Sequence, residues 1–254
     1  MKKYIVLVSL LTLPVEIFSQ NTFPFLKPNS DEVYSSIEKI QREQLEDLYI
    51  YRTGSSGEFI NGREYFPYFV ASQHKPLIRN GEYRTSSLVF NGRKIDNIAL
   101  MYDTYKDKVI YTNDTLIFNN RFCQIDLNKN NIERFDLFFA MDTMTFMYLT
   151  KKADKTFNLD DGFYEVVYDN ECRYIIKHRS TCSLSNGVFE YYYSPSSYLK
   201  INGRYVKMTT KGQFLNLFGD KREEIKKYIQ NKKIRYHKAT SRQIAGIIKF
   251  YENL

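Results

Sequence analysis

The chain has no tryptophan, only three cysteines and three histidines, and no run approaching the ~20 apolar residues that span a bilayer. Each shortage narrows the reading. The odd set Cys123, Cys172 and Cys182 is not the framework of a disulfide-built domain. Cys172 and Cys182 stand ten residues apart in what reads as one strand, about 33 Å if extended and beyond disulfide reach. Free, partly buried thiols are expected, with one long-range bridge through Cys123 as the alternative. His74, His178 and His237 fall one to each region without ligand spacing, and His178 reads as a surface or rim residue ending a strand. Gly-x-Ser-x-Gly, a phosphate loop and His-Glu-x-x-His are all missing. No catalytic residue, metal or cofactor is expected, and the sequence leans away from an enzyme.

The N-terminus reads as an export signal. Lys2 and Lys3 precede an apolar stretch from Tyr4 to Leu13, Pro14 breaks it, and Ser19 offers the small residue a signal peptidase needs. Residues 1–19 are expected to be removed, leaving a soluble chain from Gln20 in the periplasm or outside the cell. With no cysteine at the junction, a lipid anchor is not expected.

Residues 20–57 read as a lead segment and an amphipathic helix over 30–46. Asn29 and Glu32 have capping-box spacing, and Val33, Ile37, Ile40 and Gln44 follow one stripe. Residues 58–209 change to short apolar runs broken by turns, drawing on 22 tyrosines and 19 phenylalanines. Asn-Gly recurs at Asn61, Asn91, Asn186 and Asn202, the strongest short hairpin signal because both central residues of a type I′ turn need positive φ. The runs are 87–90, 97–102, 108–111, 122–127, 132–139, 144–149, 163–168, 173–178, 188–193 and 199–207. Nine or ten strands without intervening helices predict a mainly β fold of the α+β class, an antiparallel meander forming a sandwich or open barrel. Residues 210–254 return to helix, with capping-box spacings at Thr210/Gln213, Asp220/Glu223 and Thr240/Gln243.

The formal charge of +8 becomes +7 without Lys2, Lys3 and Glu16. Between Asp220 and Arg242, nine Lys or Arg face three Asp or Glu, a local excess of +6. Lys226, Lys227, Lys232, Lys233 and Arg235 are therefore candidates for contact with an anionic membrane surface, against the plainer reading of solvated helix faces. Nucleic acid suits them less, since no stacking aromatics are set among them. Tyr191-Tyr192-Tyr193 is the candidate contact strand, because at least one ring of a three-residue strand segment faces outward. Asp126-x-Asn128-x-Asn130 resembles the start of a calcium loop, but Asn131 and Leu137 occupy the Gly and Glu positions, so it reads as an Asn-rich turn. The pairs Asp103/Asp107 and Asp160/Asp161 read as solvated carboxylates at strand ends.

The stretch from Phe90-Asn-Gly-Arg-Lys-Ile-Asp to Lys108-Val-Ile-Tyr, the segment Gly162-Phe-Tyr-Glu-Val-Val-Tyr-Asp and the ending from Leu217 to Leu254 resemble a group of uncharacterised exported β-rich proteins of Bacteroidota. The resemblance implies a Gram-negative periplasmic setting and carries no assigned activity or functional residues. In that phylum Asp-Thr before an apolar residue resembles an O-glycosylation site, which Thr115 and Thr143 would match. Together these features point to a non-catalytic binding protein of the cell envelope with a protein, glycan or lipid partner. The alternatives are a periplasmic lipid or lipoprotein carrier with an open-barrel cavity, and a hydrolase.

Overall fold

The computed structural model describes Ser35 and residues 39–41, 62–68, 75–118, 121–185 and 187–254, with backbone alone for 80, 113–118, 121–123 and 185. The expected export signal, most of the expected 30–46 helix, Asn61, His74, Asn186 and the side chains of Thr115 and Cys123 lie outside the described residues. The chain divides into two units, Met1–Leu48 and Tyr49–Leu254. Of the first, Ser35 and 39–41 are helical. The second holds every described strand and the C-terminal helices.

Among the described residues thirteen strands form in chain order: β1 (Arg63–Glu64), β2 (Arg84–Phe90), β3 (Arg93–Asp103), β4 (Lys108–Phe118), β5 (Arg121–Asp126), β6 (Ile132–Phe139), β7 (Asp142–Leu149), β8 (Gly162–Asp169), β9 (Arg173–Lys177), β10 (Ser180–Ser185), β11 (Val188–Tyr193), β12 (Ser196–Ile201) and β13 (Arg204–Lys207). Eleven make one antiparallel sheet in the order β1-β5-β4-β3-β2-β6-β7-β8-β9-β12-β13, and β10 pairs with β11 alone. The fold is thus mainly antiparallel β with a few helices. Its end strands β1 and β13 do not pair, so the sheet is not closed into a barrel.

The turn chemistry acts as its residues dictate. Asn91 and Gly92 take φ of 51° and 77°, and Asn202 and Gly203 take 52° and 76°, the left-handed pair a type I′ hairpin requires. The second of these turns splits the 199–207 run into β12 and β13. Between β5 and β6 the Asn-rich segment is a 3-10 turn, Lys129–Asn131, in which Asn128 accepts the Asn130 N–H.

The sheet curls strongly about one face. Tyr102 on β3 and Phe163 on β8 have ring centroids 6.0 Å apart, although four strand spacings, about 19 Å if flat, separate their strands. Side chains fill the space this creates. Phe135 and Phe146 stack at 4.7 Å with planes 5° apart, and both are fully buried. Leu88, Leu100, Val109 and Ile132 close the same core.

Further along that face, three helices cover β8, β9 and β12: α1 (Lys211–Asn216), α2 (Arg222–Asn231) and α3 (Ser241–Glu252). Their apolar stripes, including Phe214, Ile225, Ile229, Ile244, Ile247 and Ile248, pack on Tyr174, Ile176, Leu199 and Ile201. Thr210 accepts the Gln213 N–H, and Thr240 with Gln243 forms a complete capping box. Asp220 does not cap α2: it sits within a 3-10 turn, and Lys221 holds the cap position without a side-chain bond.

Glu252 fastens the last helical turn to the β8–β9 hairpin by accepting the Cys172 N–H at 2.6 Å, an Asn170 amide N–H at 3.0 Å and the Tyr168 hydroxyl. Burial pulls its pKa up, but these donors together outweigh burial and hold the carboxyl below its ordinary value. A depressed carboxylate contributes stability above its ordinary range that is lost as pH falls through the folded value. Glu252→Gln should therefore lower stability at neutral pH, and the gap from wild type should close below the ordinary value of 4.5. Urea unfolding at several pH values measures this; a gap that stays constant under acid would contradict it.

Candidate functional site

The two cores on the inner face leave a cleft of about 790 Å³ where they meet. Ile78 and Met144 belong to one core and Tyr174 and Ile176 to the other, and all four line it. The β10–β11 hairpin overhangs it, contributing Tyr191, Tyr192 and Tyr193. The candidate contact strand is thus part of a concavity.

Alternation along β11 sorts the three tyrosines. Tyr191 turns inward, its ring 5.0 Å from Tyr68 and 5.4 Å from Tyr105. Tyr193 stacks on the His178 ring at 6.0 Å. Tyr192 projects from the other face of β11, 53 % exposed with its hydroxyl donating to Glu190, and still lines the cleft. Although 56 % of Tyr193 is solvent-accessible, its hydroxyl lies 2.5 Å from His178 Nδ1.

His178 is buried, 4 % exposed, which corrects its reading as a surface or rim residue. Its Nε2 lies 2.8 Å from Glu165 Oε2. Glu165 pairs with Ile176 across β8 and β9, and His178 follows two residues on, so the carboxylate and imidazole are diagonal neighbours on one face. Burial and the charge of Glu165 push the Tyr193 phenol up to about 12. A protonated phenol donates to Nδ1, which leaves the Nε2 hydrogen for Glu165; this tautomer is assigned from the bonding pattern. Both imidazole nitrogens are thus committed within the protein, and no serine is among their partners. Ser180 Oγ lies 2.7 Å from Thr104 Oγ1, and Ser197 Oγ lies 3.5 Å from the Tyr174 hydroxyl. Tyr174 is raised to about 12 by burial, and Tyr191 to about 12 by burial and by Cys182. At neutral pH these phenols are hydrogen-bond donors rather than nucleophiles.

A hub of hydrogen bonds seats the hairpin. Asp103 is fully buried and accepts the Tyr68 hydroxyl at 2.7 Å, the Tyr65 hydroxyl at 3.1 Å and the N–H groups of Tyr105 and Lys106 at 2.9 Å. Asp107 accepts Lys177 Nζ at 2.7 Å and the Tyr102 hydroxyl at 2.6 Å. Asp103 and Asp107 are therefore separate structural acceptors, not a solvated pair. Asp160 does stay at the surface, where it accepts from Arg179 at 2.9 Å, and Asp161 accepts the Lys151 N–H.

Cys172 and Cys182 are free but not on one strand: Cys172 precedes β9 and Cys182 lies within β10, beyond the bend at 178–179. Burial raises the Cys172 thiol to about 11. The basic residues of α2 and its exit do not converge on the cleft. Lys226 pairs with Glu223 at 3.2 Å, Lys232 lies 6.0 Å over the Tyr228 ring, and Lys227, Lys233 and Arg235 are exposed. Thr143 is exposed on β7, while its neighbour Asp142 is held by Arg79 at 2.8 Å and Arg242 at 2.6 Å. Among the described residues no group of three or more His, Cys, Asp or Glu could hold a metal ion. Nor is any described helix long and apolar enough to cross a membrane.

Fold and site together define a mainly antiparallel β protein with a tyrosine-walled cleft floored by a Glu-His-Tyr chain. Comparison with protein-family models, curated proteins and solved structures returns no match. Its function is therefore read from its own geometry.

Proposed function

We propose that the protein is an exported, non-catalytic binding protein of the cell envelope, and that the tyrosine-walled cleft receives a glycan. The single observation that carries this reading is the cleft of about 790 Å³ itself, where Tyr191, Tyr192 and Tyr193 stand beside Glu165, His178 and Ser180. Aromatic rings offer flat apolar faces and the polar groups offer directional bonds, the mixture that fixes a ring bearing hydroxyls. Commitment of both His178 nitrogens favours binding over hydrolysis, since a general base needs one of them free for a substrate or nucleophile proton. A lipid carrier would need an open apolar lumen, whereas Phe135, Phe146 and Phe163 fill the curled sheet. Export itself rests on the N-terminal sequence.

Saturation-transfer NMR with soluble peptidoglycan fragments tests the reading. Tyr192→Ala and Tyr193→Ala should each weaken binding about tenfold, and Tyr192→Ala should leave the melting temperature unchanged. No saturable signal with the wild type, or variants that bind as it does, would remove the glycan reading. Acyl lipid co-purifying in native mass spectra would favour the carrier.

A further inference from the structure

The turn joining β3 to β4 builds a second cavity that shares no residue with the tyrosine cleft. Its volume is about 310 Å³, and its charged walls are Arg63, Lys106, Lys108, Lys129, Asp107 and Asp126. Both carboxylates are already matched. Asp107 accepts from Lys177 and Tyr102, and Asp126 accepts from Lys108. Arg63, Lys106 and Lys129 have no carboxylate partner among the described residues, so the cavity keeps a surplus of three positive groups.

These cations come from three separate segments, and local structure sets each in place. Lys106 lies 4.4 Å over the Tyr68 ring and 5.1 Å over Tyr65. Both phenols donate to buried Asp103, which also accepts the Lys106 N–H. The left-handed φ of 56° at Asp107 completes that turn. Lys129 opens the 3-10 turn capped by Asn128. Arg63 stands opposite Asp126 in the β1–β5 register, and its neighbour Glu64 points to the other face of the strand. All three are exposed, so water and salt screen their mutual repulsion, and what they offer is a convergent set of donors and a positive potential for an entering anion.

We propose that this cavity binds a phosphate group, carried by a small phosphorylated molecule or a phospholipid headgroup. A tetrahedral dianion offers several acceptor oxygens to an arginine and two lysines approaching from different sides, whereas a carboxylate has one charge and two oxygens. Like-charged Asp107 and Asp126 do not repel it strongly, because lysines already neutralise them.

Isothermal titration at low ionic strength with inorganic phosphate and pyrophosphate tests the first source. Flotation with vesicles containing phosphatidic acid, whose headgroup is a phosphate monoester with a second ionisable oxygen, tests the second. The Lys106→Gln/Lys129→Gln variant should weaken whichever ligand binds by about tenfold or more. Lys151→Gln/Lys152→Gln, which removes the same charge elsewhere, should bind as the wild type does, and all three proteins should melt alike. Saturable phosphate binding that follows this pattern assigns a free phosphorylated ligand; vesicle binding alone that follows it assigns a headgroup. No saturable binding to either, or equal loss in both variants, overturns the proposal. Tyr192→Ala should leave phosphate binding intact, which separates this site from the glycan cleft.

Discussion

Replacing Asp107 by asparagine is expected to destabilise the protein by about 2–3 kcal/mol, far more than a surface carboxylate would. Lys177, its partner, is nearly enclosed, with 5 % of its side chain exposed, and its other acceptor is the Phe163 carbonyl at 3.0 Å. Burial already pulls the Lys177 pKa below its ordinary value despite the opposing pull of Asp107. Asparagine keeps the left-handed backbone and an acceptor for Tyr102, so the change removes chiefly the charge. Lys177 then stays buried as an unmatched cation or gives up its proton. The pH dependence comes from the sign: where the folded lysine has lost its proton and the unfolded one keeps it, stability rises with pH. The deficit of Asp107→Asn should therefore shrink as pH climbs toward the ordinary lysine value of 10.5. Urea unfolding across neutral to alkaline pH measures both parts. A deficit below about 0.5 kcal/mol would mean that the pair is screened like a surface bridge.

A larger loss, about 3–5 kcal/mol, is expected for Phe146→Ala. Its ring touches Phe135, Tyr102 and His178, with centroids 4.7, 5.0 and 5.5 Å away. Truncation leaves a cavity that these rigid rings cannot collapse to fill, while Phe146→Leu should cost under about 2 kcal/mol. Because Phe146 supports His178, the alanine variant should also lose cleft affinity. Phe135→Ala, whose ring is not against the imidazole, should lose comparable stability with a smaller effect on binding. Thermal unfolding and the NMR titration separate the two; equal binding losses would show that His178 is not held by Phe146.

The sequence makes most of this architecture legible because its signals are local. The Asn-Gly turns and the alternation in β8 and β9 place those hairpins, and the i, i+3, i+4, i+7 pattern of Ile244, Ile247, Ile248 and Tyr251 places α3. The strand β10 is not legible: Ser-Thr-Cys-Ser-Leu-Ser has little aromatic or β-branched character, and it forms by pairing with β11 away from the main sheet. The site is less legible still, because its chemistry arises from juxtaposition. Glu165 meets His178 only through the β8–β9 register, and Tyr193 reaches Nδ1 only through the return of β11. The Asp103 turn reads as a solvated hairpin end until Tyr65 and Tyr68, 38 and 35 residues earlier, close over it.

The pairing of β9 with β12 has a consequence for modularity. Lys177 faces Ser196 directly across that ladder, so residues 178–195 leave the sheet and rejoin it at adjacent positions. The overhanging hairpin is an excursion from an otherwise complete β9–β12 connection, and a tight turn could bridge the same gap. Such a hairpin can lengthen, shorten or change its residues while the ladder beneath it keeps its register. Under the proposed binding role, specificity would be free to diverge faster than the scaffold that displays it.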